Sequence, residues 1–396
     1  RNYTGDHCYP HGLHPPEREH IADFQMFVMR TSDDSGATSS APRMIPMNQV
    51  CWNMQLVYVK GRVILHAKAK ESGQLFQLTS DDLAETWSAP RDISGFFPPH
   101  LRSPDGLRPS FGTGLVIPRP TSSGSRILMT AYDHEKQATG GADSCYVYAS
   151  DDVGGTWKIA SKLEGAFECN LAQLGGGGLY LNARHRSKPG HSAAGPFPRV
   201  QATDFSDDPG FGLRVNSSLA PLYDPNSGGV LGAALSLPST TATTSERVLY
   251  FAEAAGPDPL GAVPQPEPGS VSPRANLTLH RSDDAGRHWT RRWLWRGYSG
   301  YVAVSPLPRQ QGLGVLWEIN TGDDDCEDAC ELAFAPISDE TLPQKTDDSE
   351  GPSRSAAQCT LTVPTGAGTL ERAQADARKA LGSGCSDVLI QLRAGR

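Results

Sequence analysis

Apolar and polar positions change places along this chain in short runs, and hardly any long stretch recurs at the three-to-four-residue spacing of a helix. Runs such as FQMFVMRT, QLFQLT, CYVYA and NLTLHR are short and either apolar or alternating, as strands with one or both faces buried are. Turn-forming residues separate them: 41 glycines and 31 prolines are distributed through 396 residues. The pattern predicts an all-β protein.

One turn repeats. Serine, any residue, aspartate, any residue, glycine, two residues and tryptophan stand as SDDVGGTW (Ser150 to Trp157) and SDDAGRHW (Ser282 to Trp289). Weaker copies are SDDLAETW (Ser80 to Trp87), with Ala84 at the glycine position, and SDDSGATS (Ser32 to Ser39), with Ser39 at the tryptophan position. Aspartate accepts backbone hydrogen bonds across a turn, glycine supplies backbone angles other residues resist, and tryptophan packs the closing strand. The copies begin 48, 70 and 132 residues apart. If the last interval covers two units, the period is that of a four-stranded propeller blade and implies about six blades. A sandwich would explain the strands but not the repeated turn.

Residues 1–337 carry this pattern. From 338 to 357 the chain reads SDETLPQKTDDSEGPSRSAA, charged and without periodicity, which predicts a linker. Residues 358–396 read as a small strand-helix-strand appendage: CTLTVP, a helix over Leu370 to Leu381, then DVLIQL.

Composition narrows the function. The formal charge of -8 leaves no basic stripe for a phosphate backbone, so nucleic acid is not an expected partner. No apolar run reaches 18 residues, so no transmembrane segment is expected. The chain starts without methionine or a signal-like segment, which fits a processed or truncated chain. Eight cysteines show no metal-ligand spacing, and acidic runs such as GDDDCED and SDDPGFG lack a cation-cage spacing and read as solvated loops. No metal or other cofactor is expected. The even cysteine count and the N-x-S/T sequons at Asn2, Asn216 and Asn276 lean toward the secretory pathway, lysosomal or extracellular.

Several ionisable groups stand at strand ends: Asp23 in ADFQMFVMRT, Glu168 in FECNLAQL, Arg184 in LYLNARHR, Arg274 in SPRANLTLHR, Tyr301 in YSGYVAVSPL and Glu318 in GVLWEIN. In a propeller, strand ends near the axis converge on a central pocket. A tyrosine hydroxyl, with a pKa of about 10, becomes a competent nucleophile when a carboxylate takes its proton. Two arginines in one pocket suit a carboxylate ligand. Read singly, Glu168 could equally cap a turn, Tyr301 could pack, and both arginines could lie at the surface. The stretch FECNLAQLGGGGLYLNAR predicts a hairpin that reverses at Gly175 to Gly178 and holds Glu168 and Arg184 at its open end.

These segments together resemble the exo-α-sialidase (neuraminidase) superfamily of six-bladed propellers, and within it the lysosomal-type branch. The repeated turn is similar to that family's Asp box. FECNLAQLGGGGLYLNAR, RANLTLHRSDDAGRHW and GYSGYVAVSPLPRQQGLGVLWE resemble its active-site segments, over roughly Phe24 to Pro336. The resemblance implies a retaining glycoside hydrolase acting on sialylated glycans, with Tyr301 as nucleophile and Glu168 as its base. Arg184 and Arg274 would belong to a triad holding the substrate carboxylate, and Glu318 would orient the triad's first arginine. Because a sialoside carries its carboxylate on the anomeric carbon, an anionic nucleophile would be repelled, which is why a neutral tyrosine suits the task.

The N-terminal part departs from the family pattern. No Arg-Ile-Pro is present, so Arg1 is the candidate for the first triad arginine, placed by the ER of Glu17 and Arg18. Asp23 is the candidate acid/base, with Glu19 and His20 as alternatives. The departure leaves a rival to hydrolysis, a catalytically impaired sialic-acid-binding or structural propeller. A trans-sialidase using the same intermediate is a separate alternative, for which the sequence offers no acceptor-site signal.

Overall fold

A computed structural model describes residues 27–36, 38–47, 51–119, 124–133, 143–185, 197–224, 230–239, 246–256, 274–307, 312–319, 331–337, 358–363 and 387–392. Two compact units divide the chain, Arg1–Pro343 and Gln344–Arg396. The expected linker and the helix over Leu370 to Leu381 lie outside the described residues. In the second unit two strands, Gln358–Val363 and Asp387–Leu392, pair in parallel.

The first unit opens with an antiparallel pair, β1 (Val28–Met29) and β2 (Arg43–Met44). A four-stranded antiparallel sheet follows: β3 (Cys51–Val59), β4 (Arg62–Ala69), β5 (Leu75–Ser80) and β6 (Arg91–Asp92). The second sheet holds β7 (Arg108–Pro109), β8 (Leu115–Pro118), β9 (Ser125–Asp133), β10 (Ser144–Ser150) and β11 (Lys158–Glu164), with β7 and β8 both on β9. In the third, β12 (Ala166–Gln173) and β13 (Leu179–His185) precede a short β14 (Phe197–Pro198). β15 (Val200–Asp204) and β16 (Arg214–Val215) complete that sheet, while β14 pairs with β17 (Tyr223–Asp224). The fourth is β18 (Ala233–Pro238), β19 (Arg247–Ala254), β20 (Ala275–Ser282) and β21 (Thr290–Tyr298). The fifth is β22 (Val302–Pro306), β23 (Leu313–Ile319) and β24 (Glu331–Ile337).

Most neighbouring strands within a sheet are consecutive in the chain and antiparallel, and the core lies between consecutive sheets. Ile64 and Leu75 of the first sheet pack on Tyr146, Tyr148 and Trp157 of the second. Val147 meets Leu171 and Leu181 of the third, Tyr180 meets Leu249 and Phe251 of the fourth, and Tyr250 and Leu279 meet Val302 and Val315 of the fifth. Sheets stacked face to face in chain order are blades of a β-propeller. Burial on both faces also explains why SCYVYAS in β10, buried at every position, does not alternate strictly.

The repeated turn has one geometry at all four places. In the third copy, Ser150 Oγ donates to Asp152 Oδ1 at 2.8 Å and accepts from Gly154 N at 2.8 Å, while Asp152 accepts from Thr156 N at 2.8 Å and from its hydroxyl at 2.7 Å. Asp34, Asp82 and Asp284 repeat this with Thr38, Thr86 and His288. Two consecutive residues adopt left-handed backbone in each: Ser35 and Gly36, Leu83 and Ala84, Val153 and Gly154, Ala285 and Gly286. Trp157 seals the turn against the preceding blade, its indole N–H donating to Gln77 Oε1 at 2.8 Å.

The third sheet, inside the 132-residue interval, closes its outer hairpin differently. Asp204 accepts from the backbone N–H groups of Ser206, Gly210 and Gly212 at 2.8, 2.8 and 2.9 Å. The run SDDPGFG, read above as a solvated loop, is therefore folded around a buried carboxylate that precedes it.

Two readings of the cysteines and sequons change. Cys145 and Cys169, which looked merely scattered, form a disulfide joining β10 to β12, whereas Cys51 has no disulfide partner among the described residues, and burial pushes its thiol up to about 12. Asn276 is 2% exposed and its amide donates to Gly256 O, so this sequon is folded away. Asn216 lies at a partly exposed turn with Ser218 donating to its Oδ1; Asn2 lies outside the described residues.

Candidate active site

The predicted hairpin forms. β12 and β13 pair antiparallel and reverse through Gly175–Gly177, where Gly176 and Gly177 take positive φ and Leu174 N donates to Gly178 O at 2.7 Å. Glu168 and Arg184 sit together at the open end. The ladder slips between Phe167 and Cys169, and Glu168, the bulged residue, has φ 28°. A bulge re-aims one side chain without unravelling the strand.

That re-aiming brings Glu168 to Tyr301, which immediately precedes β22. Tyr301 Oη donates to Glu168 Oε1 at 2.6 Å. Arg184 Nη1 donates to Glu168 Oε2 at 2.7 Å and lies 3.3 Å from Tyr301 Oη. All three are buried, Glu168 to 1% exposure. A cation beside the phenol oxygen stabilises negative charge that develops there, and the carboxylate is placed to accept the proton.

Arg274 precedes β20 and places its guanidinium carbon 5.5 Å from the centroid of the Tyr301 ring. Glu318, on β23, serves the nucleophile's own backbone: its Oε2 accepts from Tyr301 N at 2.9 Å, while its main chain exchanges bonds with Gly300 and Tyr301. A Cβ on Gly300 would lie 2.2 Å from that carboxylate oxygen, so the close approach requires glycine there. The structure thus gathers Glu168, Arg184, Arg274, Tyr301 and Glu318. Arg1 and Asp23, with Glu19 and His20, lie outside the described residues.

Sequence reasoning missed Phe111, whose ring packs 5.2 Å from that of Tyr301, and it missed a second bulge built like that of Glu168. On β3 the ladder slips between Trp52 and Met54, Asn53 has φ 48°, and Lys68 takes the register position that Arg184 holds on β13. Asn53 donates to Tyr132 Oη at 2.7 Å. Neither position carries a motif; the likeness exists only in the register. Among the described residues no group of three or more His, Cys, Asp or Glu side chains is placed to hold a metal ion.

Solved structures share this architecture. The Hadza microbial sialidase Hz136 superposes with a TM-score of 0.57 at 19% identity, over 80% of this chain and 60% of its own. The intramolecular trans-sialidase from Ruminococcus gnavus, solved with oseltamivir carboxylate, gives 0.54 at 12% identity, over 80% and 88%. NanB with Optactamide gives 0.52 at 14% identity, over 79% and 62%. The shared feature is the β-propeller fold. This chain spans 60% of the length of the first of these proteins. No protein-family model matches the chain, and no curated protein matches it.

Proposed function

We propose that this protein is a retaining exo-α-sialidase of the lysosomal type, which hydrolyses terminal sialic acids from glycoproteins, glycolipids or oligosaccharides. The observation that carries the reading is the buried hydrogen bond from Tyr301 to Glu168 at 2.6 Å, in a propeller of the kind sialidases use.

Glu168 accepts the phenolic proton as Tyr301 Oη bonds to the anomeric carbon, and the glycosidic bond breaks as Asp23 protonates the leaving oxygen. Asp23 then takes a proton from water, which displaces Tyr301 from the tyrosyl-glycoside; the phenolate regains its proton from Glu168, and the anomeric configuration is retained overall. Arg184, Arg274 and Arg1 grip the substrate carboxylate, Arg184 turning from Glu168 toward it. The four-fold turn is the Asp box of a six-bladed ring, with the β1–β2 pair belonging to the sixth blade. The protein works in the secretory pathway, lysosomal or extracellular, a placement that the Cys145–Cys169 disulfide supports.

Release of a fluorogenic alcohol from an α-sialoside at acid and neutral pH tests hydrolysis. A fluorinated sialosyl donor should label Tyr301, and product analysis with added lactose separates hydrolysis from transfer. Folded protein giving neither turnover nor label would overturn the proposal.

A further inference from the structure

Between the third and fourth sheets lies a buried ion pair that the chemistry above does not use. Arg199 immediately precedes β15, and its side chain has no solvent exposure. Its Nε donates to Asn182 Oδ1 at 2.6 Å, and its Nη1 donates to the carbonyl of Val230 at 2.9 Å and to Glu253 Oε2 at 3.3 Å. The guanidinium carbon stands 5.0 Å from the centroid of the Phe251 ring. Glu253, on β19, keeps its other oxygen 3.1 Å from His280 Nε2.

The pair converges on the wall behind Tyr301. Val230, Leu231 and Ala254 form one buried cluster with that tyrosine, and Phe111 packs against it. Arg199 holds Val230 through its carbonyl, and Ala254 directly follows Glu253 in the chain. One ion pair therefore fixes two of the three aliphatic residues in that cluster. Apolar side chains of similar volume would cement two blades at least as well as a buried ion pair. What the planar guanidinium adds is direction: its donors bind three acceptors at set angles.

We infer that Arg199 and Glu253 are positioning residues that clamp Val230 and Ala254 against Tyr301 and so keep its hydroxyl on Glu168. The clamp itself is a property of the fold; its effect on turnover rests on the reading of Tyr301 as nucleophile. Arg199→Lys keeps the charge but loses the fork, and Val230→Ala leaves the ion pair intact while removing part of the wall. Arg247→Lys, at the opposite end of β19, serves as control.

The first readout is nitration of Tyr301 by tetranitromethane, followed by peptide mass spectrometry in folded protein. The second is labelling by a fluorinated sialosyl donor at saturation. Tyr301 should nitrate several-fold faster in both variants and not in the control. Labelling should slow by about tenfold to a hundredfold, with half-saturation little changed, as expected for a displaced reacting group. Unchanged nitration in folded Arg199→Lys and Val230→Ala overturns the clamp, and Val230→Ala decides alone if the arginine variant does not fold. Absence of label on the wild-type protein counts against the sialidase reading only, with nitration still deciding the clamp.

Discussion

Tyr301 and Glu168 are 133 residues apart in the chain, yet the phenol donates to the carboxylate at 2.6 Å inside the protein. A buried hydroxyl needs some acceptor, but a carboxylate also gives the proton somewhere to go when the oxygen attacks. Glu168→Gln keeps the shape and removes the basicity. On an aryl α-sialoside, kcat should fall by roughly 10²- to 10⁴-fold with KM changed far less. A kcat close to that of the wild type would remove Glu168 from the role of base.

The two arginines should separate in their effects. Arg274 meets Tyr301 through its ring, whereas Arg184 bonds directly to Glu168. Arg274→Lys should weaken a dehydrated sialic acid analogue by about 10- to 100-fold in calorimetric titration, because an ammonium cannot grip a carboxylate with two parallel bonds. Arg184→Lys should weaken binding and also lower kcat, since the cation at the Glu168–Tyr301 pair moves. Equal affinity of both variants and the wild type would show that neither guanidinium binds the carboxylate.

Strand runs and repeated turns were readable in the sequence because each obeys a local rule: period two for a pleated strand, and an Asp-to-backbone bond at fixed spacing for the turn. Glu168, Arg184 and Tyr301 could be singled out because their segments are distinctive. The bulges at Glu168, Asn53 and Asn276 could not, because a one-residue slip in the ladder leaves no mark on composition. The slip at Asn276 also buries an otherwise ordinary glycosylation sequon. Pairing of Cys145 with Cys169 depends on how two blades stack, and so does the meeting of Arg199 with Glu253. Such contacts between sheets have no period in the chain.

Ala84 offers a test of the turn itself. It stands at φ 68° where Gly36, Gly154 and Gly286 stand at φ 86°, 87° and 91°. An L-residue in this region costs about 1 to 2 kcal/mol, and glycine's extra freedom in the unfolded chain returns about 0.4 to 1 kcal/mol of that. Ala84→Gly should therefore stabilise the protein by roughly 0.5 kcal/mol or slightly more. Gly154→Ala should destabilise, since its Cβ would also meet Ile64 Cδ1 at 2.9 Å. Urea denaturation checks both signs, and a destabilised Ala84→Gly would mean that the alanine methyl contributes packing that outweighs the backbone strain.

Lys68 predicts how stability varies with pH. It lies near the end of β4, 1% exposed, and its Nζ has no hydrogen-bond partner among the described residues. Burial, reinforced by the nearby Arg108 cation, lowers its pKa to about 7 from 10.5, against the pull of Asp105 and Asp92. Between about pH 7 and 10.5 the unfolded chain holds the proton more tightly than the folded one, so this residue makes stability rise with pH across that window. Below about pH 7 both states are protonated and the full penalty of burying the ammonium is present. Lys68→Met fills similar volume without charge. It should raise the urea midpoint at pH 6, by an amount equivalent to about 1 kcal/mol or more, and the gain should shrink steadily as the pH is raised toward 10. Two stability curves running parallel across that range would mean that the folded protein does not suppress protonation of Lys68.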